Sequence, residues 1–251
     1  MDHAHYDKTL IGHLSELRQR VIRCIVGLAI VAAGLLPFTK PLYDWIARPF
    51  MAQLSSQQSI IATQPSHVVL VPLQLVCYLS VFFCAPWLLY QAWAFVAPGL
   101  YLKEKRYAIP LLLAGIFLFY IGTIFAYWIV LPNVFHFLQV FKPEVVTLTP
   151  DIQAYFSFIL TITLAFGLCF NLPVVMIILV LLGVVTPKQL STHRRHAIVG
   201  NFVLAAVLTP PDVLSQITLA LPLCLLYELG IWTSRIILAK PQTSSINTPP
   251  P

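Results

Sequence analysis

Residues 107–131 read YAIPLLLAGIFLFYIGTIFAYWIVL, with one charged neighbour before the run (Arg106) and none inside it. A helix that is apolar on every side has no face to offer water and must be buried all round, in a large core or in a bilayer. Crossing the hydrocarbon layer, about 30 Å thick, takes about 20 such residues. The run is long enough, so it predicts a membrane-spanning helix.

Further apolar runs lie on both sides of it. They cover Val21 to Phe38, Val68 to Val96, and Ile152 to Val185. The second carries Pro72 and Pro86, which predict kinks, and the last is interrupted at Asn171 and Pro173. Two briefer runs, His196–Leu208 and Val213–Tyr227, flank the breaker Thr209-Pro210-Pro211-Asp212. Together they predict an all-α integral membrane protein of six transmembrane helices, the last two short. One membrane domain is expected over residues 1–236. The stretch Pro241–Pro251 (PQTSSINTPPP) is polar and proline-rich, so residues 237–251 are expected to form a disordered cytoplasmic tail.

Composition agrees with a membrane protein. Hydrophobic residues make up 59% of the chain and charged ones 10%, with a mean hydropathy of +0.84. Soluble domains carry about 25% charged residues, which this chain could not match on an aqueous exterior. The net charge of +6 could suggest nucleic acid. However, the basic residues sit in short clusters between apolar runs, so no nucleic-acid partner is expected. The five cysteines (Cys24, Cys77, Cys84, Cys169, Cys224) lie inside apolar runs without CxxC spacing, and read as packing residues. Residues 1–19 include Asp2, Asp7 and Glu16 and have no early apolar core, so no cleaved signal peptide is expected.

Loop charges set the expected orientation. Twelve basic residues (Lys8, Arg18, Arg20, Arg23, Lys103, Lys105, Arg106, Lys188, Arg194, Arg195, Arg235, Lys240) fall on one side and three (Lys40, Arg48, Lys142) on the other. The excess predicts that both termini are cytoplasmic. In the first outer loop, PLYDWIARPFMAQL (Pro41–Leu54) spaces its apolar residues like a helix lying in the outer interface.

No HExxH, GxSxG or Walker loop is present, and no Cys/His set has metal spacing, so the reading is of a protein that is not an enzyme and takes no metal or cofactor. What stands out is the placement of its nine acidic residues. Glu16 lies in HLSELRQR just before the first span, and Glu104 in LYLKEKR of the first inner loop, each among basic neighbours. A local ion pair explains such acids as readily as a binding role does. Asn171 and Gln216 are polar groups within apolar runs, while Asp212 and Glu228 sit at expected helix ends. Polar groups in the membrane need partners and are functional candidates; Asp212 could equally cap the last helix.

Over about residues 10 to 236 the chain resembles TatC, the polytopic receptor subunit of the twin-arginine protein translocase. The resemblance is carried by HLSELRQR (His13–Arg20), APWLLYQAWAFVAPGLYLKEKR (Ala85–Arg106), FYIGTIFAYWIVLP (Phe119–Pro132), FGLCFNLPVV (Phe166–Val175), LTPPDVLSQ (Leu208–Gln216) and LPLCLLYELG (Leu221–Gly230). It implies a bacterial inner-membrane protein that binds arginine-pair signal peptides of folded cargo proteins, works with single-span TatA-type and TatB-type partners in the lipid bilayer, and self-associates. The proton-motive force would drive transport. By motif position, Glu16 and Glu104 are the implied contacts of the arginine pair, with Arg18, Lys105, Arg106 and Phe95 beside them. Pro49 matches a functional position in the outer interfacial helix. Asp212, Gln216 and Glu228 match positions of the last hairpin. Where the family usually carries Glu or Gln, this chain has Asn171, an amide that cannot titrate; it is expected to face a partner helix. A small secondary transporter is the alternative, but it would need paired midplane ionisable groups in which this chain is thin.

Overall fold

The structure, a computed structural model, describes residues 3–51, 64–96, 108–134, 151–208 and 213–239. Helix α1 (His3–Leu35) passes through a single 3₁₀ turn at Leu36–Phe38 into α2 (Thr39–Met51). Then come α3 (His67–Val96) and α4 (Ala108–Phe125), whose path continues through a π turn at Ala126–Val130. Helices α5 (Ile152–Cys169) and α6 (Leu172–Leu181) follow, then the short α7 (Pro187–Thr192), α8 (Arg194–Leu208) and α9 (Val213–Ala239). Among the described residues five helical stretches are long and apolar enough to cross a membrane. This is the make-up of a multi-pass helical membrane protein.

The boundaries follow local chemistry. Helix α3 begins one residue before the expected Val68 and ends at Val96, running on through both Pro72 and Pro86. Pro86 has no N–H, so it leaves the carbonyl of Phe82 without its helical donor. The Tyr120 hydroxyl of α4 donates to that oxygen at 3.2 Å. The break between α5 and α6 falls at Asn171, where Pro173 opens the next helix. Asp151 caps α5, its carboxylate accepting from the N–H of Ala154 at 3.3 Å. A capping box between Thr186 and Gln189 starts α7.

One expectation fails at the last helix. Only α8, with 15 residues, is short; α9 has 27 and runs to Ala239, past the boundary expected at residue 236. Glu228 looked like a membrane boundary that should end the helix near Tyr227. Instead its carboxylate accepts from Nη2 of Arg194 at 2.9 Å, while the Tyr227 hydroxyl donates to the Leu190 carbonyl at 2.9 Å. With these partners supplied by α7 and α8, the helix continues.

The core has two parts. The larger lies toward α2, the start of α3 and α5, and the end of α4, and includes Ile46, Leu75, Val130, Phe156, Ile162, Phe166 and Leu219. Tyr43 of α2 stacks on Phe156 at 4.8 Å, which pins α2 to the bundle. The smaller part, Trp93, Leu111, Val174, Ile177 and Leu181, lies at the opposite end. Helices α4 and α5 touch backbone to side chain: a Cβ on Gly122 would meet the Phe166 carbonyl at 2.6 Å, and one on Gly167 would meet Thr123 Oγ1 at 2.9 Å. Small residues are what allow such approach in a bilayer, where packing replaces the hydrophobic effect between helices. Gln74 and Ser157 add a polar bond between α3 and α5, the amide donating at 3.0 Å.

Candidate functional site

Helix α1 lies against α3 along one seam. Gly27 lets the Trp87 ring approach, and Trp87 Nε1 donates to the Arg23 carbonyl at 3.4 Å. About two turns before Arg23, the same seam carries the acid that the sequence singled out. Glu16 and Arg20 are four residues apart on α1, the spacing at which helical side chains meet. Arg20 donates from Nε to Glu16 Oε1 at 3.0 Å, and from Nη2 to the same oxygen. Its remaining nitrogen, Nη1, reaches Gln91 Oε1 of α3 at 3.5 Å, a long hydrogen bond. Gln91 is buried, 3% exposed. A buried amide of that kind requires a partner, and Arg20 supplies it.

The arrangement is graded by exposure. The Arg20 side chain is 17% exposed and that of Glu16 is 36% exposed. As a stabilising contact such a partly solvated pair contributes little, about 0–1 kcal/mol. As a binding group it is well prepared. A carboxylate offers about four lone-pair sites, and Arg20 engages it through Oε1. Phe95 is half-buried on α3, one helical turn beyond Gln91 on the same face. Arg18, expected to be the local cation beside Glu16, is exposed, and Arg20 takes that place. Arg20 and Gln91 are the residues that sequence reasoning passed over. The four-residue spacing gave a signal for Arg20; nothing in the sequence gave one for Gln91, which depends on how α1 meets α3. Glu104, Lys105 and Arg106 lie outside the described residues, so the structure does not place them against Glu16.

The polar residues of the later helices find partners within the bundle. Asn171 is 8% exposed; its Nδ2 donates to the Gly167 carbonyl at 3.0 Å, and its Oδ1 lies where a Cβ on Gly115 would stand 3.0 Å away. It faces α4, where the missing side chain at Gly115 leaves room for it. Gln216 donates from Nε2 to the Phe202 carbonyl at 3.0 Å and ties α9 to α8. Glu228 pairs with Arg194 in a half-exposed bridge, also between α9 and α8. Asp212 lies outside the described residues. Pro49 falls within α2, but its side chain is outside the described set. Among the described residues no group of three or more His, Cys, Asp or Glu could hold a metal ion, and the cysteines are free thiols.

A bundle of apolar helices with buried amides tying its seams defines a polytopic membrane protein. The chain belongs to the TatC family. The family model described as "Sec-independent protein translocase protein (TatC)" matches residues 12–222. The chain is similar to the Sec-independent protein translocase protein TatC of Haemophilus influenzae, at 42% identity over 246 residues, covering 98% of this chain and 96% of that protein. It is similar also to the Escherichia coli K12 protein of the same name, at 40% identity, covering 92% and 90% of the two chains. A crystal structure of the twin arginine translocase receptor TatC superimposes with a TM-score of 0.79 at 36% identity, covering 90% of this chain and 99% of that one.

Proposed function

We propose that this chain is the receptor that binds signal peptides bearing adjacent arginines, and that Glu16 with Glu104 reads the arginine pair. The observation that carries the reading is that the Glu16 carboxylate, half-exposed at the seam of α1 and α3, already binds a guanidinium through two of its nitrogens. A guanidinium is planar, permanently charged and able to fork onto a carboxylate; an ammonium is a point charge. Membership of the TatC family supplies the context of protein transport. Phe95 would pack against the apolar part of the peptide, with Lys105 and Arg106 near Glu104 limiting attraction of stray cations. This end of the bundle would face the cytoplasm, as the loop charges imply, with Pro49 and α2 in the outer interface. The chain would sit in a bacterial inner membrane, self-associate and act with single-span TatA-type and TatB-type subunits on a transport step driven by the proton-motive force. Asp212 and Gln216 on the last hairpin would serve that assembly.

Photo-crosslinking in membranes tests this reading. A twin-arginine signal peptide carrying a photoreactive group is expected to label the first inner loop, and the Glu16→Ala and Glu104→Ala variants are each expected to cut labelling by roughly ten- to a hundredfold, as the loss of one charged hydrogen bond implies. Equal labelling by a Lys-Lys peptide, or labelling indifferent to both substitutions, would overturn it.

A further inference from the structure

We infer that Arg20, held in place by Gln91, is the specificity-determining residue of the Glu16 site: a resident guanidinium that cancels the charge of the carboxylate while leaving part of its hydrogen-bonding capacity for an incoming one. The inference rests on the signal-peptide reading above and deepens it.

The geometry is unequal across the carboxylate. Both bonds from Arg20 end on Oε1. Neither bond ends on the second oxygen, Oε2. A bare carboxylate at a membrane surface attracts any cation by charge alone. Once paired, it presents little net charge, and what remains is directional: lone pairs at fixed angles. A guanidinium with five N–H donors in a rigid fork can use those sites. A lysine ammonium, strongly hydrated, gains chiefly from net charge, which the resident arginine has removed. Selection thereby shifts from charge toward shape.

That device works only if Arg20 stays on its own oxygen. On an exposed helix an arginine has many rotamers and its pairing is weak. Here the third nitrogen reaches the buried Gln91 amide on the neighbouring helix, and the side chain is only 17% exposed. Gln91 is a positioning residue: it acts on the peptide through Arg20, and it makes the selectivity of the site depend on the α1–α3 seam.

The test is a pair of equilibrium titrations on the full chain in lipid nanodiscs, with a fluorescent Arg-Arg signal peptide and its Lys-Lys counterpart, across a salt series. Arg20→Gln is expected to strengthen Lys-Lys binding, to lower the Arg-Arg over Lys-Lys preference by about tenfold, and to steepen the salt dependence of both, because an uncompensated charge has been exposed. Arg20→Lys keeps the charge and is expected to retain most of the preference. Gln91→Leu leaves every charge in place and is expected to lower the preference by about threefold. A merely structural role would weaken both peptides alike and leave their ratio unmoved; that result in both Arg20→Gln and Gln91→Leu overturns the inference while the receptor reading stands. A wild-type chain that does not distinguish the two peptides, or a Glu16→Ala chain that binds as wild type does, overturns the receptor reading and the inference with it.

Discussion

The first and fourth spans are both long and apolar, yet the protein uses them in opposite ways. None of the most apolar window of the Leu14–Asp44 span is buried inside the protein, against 56% of that of the Ile152–Leu181 span. The fourth span is the centre of the bundle and meets α3, α4, α8 and α9. The first touches the bundle mainly along α3 and turns the rest of its surface outward. Hydropathy alone does not separate them, at 2.3 and 2.6. Lipid tails are as apolar as leucine, so an apolar side chain costs nothing on either side of a helix; only close packing marks the core.

If that is the difference, truncations in the two spans should diverge. Phe156→Ala removes a ring that is 0% exposed and stacked on Tyr43, and should lower stability by about 3–5 kcal/mol, seen as a fall in the thermal midpoint in detergent. A change no larger than that of a surface site would show that the fourth span is not the centre of packing. Gln74→Leu tests the polar bond to Ser157 and should cost about 0.6 kcal/mol, the average for hydrogen bonds between membrane helices, and no more than about 1.7. Chemical denaturation in mixed micelles resolves a step of that size. Ile30→Ala, at a side chain 67% exposed on α1, should change stability by less than about 0.5 kcal/mol. A larger loss there would mean that α1 is covered by something other than lipid.

Much of this architecture was legible in the sequence, because the features that set it are local. Long apolar runs mark both ends of α3 and the start of α4 to within a residue, though not the π turn that ends α4 at Phe125, and the Asn171–Pro173 interruption marks the break between α5 and α6. In the sequence Glu228 has the look of a boundary and the last helix looks short, because its partner Arg194 stands 34 residues earlier and is brought close only by folding. The candidate site divided in the same way. Glu16 announced itself as an acid among bases, and Arg20 was within reach of a spacing argument. Gln91 was one amide within an apolar run, and its meaning came from a helix more than seventy residues away. Asn171 was visible as a polar interruption, but the space that receives it is made by a missing side chain at Gly115, which no pattern within its own segment records.

The hydrogen bond from Tyr120 to the Phe82 carbonyl makes two neighbouring helices depend on each other. A carbonyl left without a donor in hydrocarbon costs several kcal/mol, and the hydroxyl that spares α3 that cost belongs to α4. The proline inside the first helix thereby becomes a reason for the second to stand beside it.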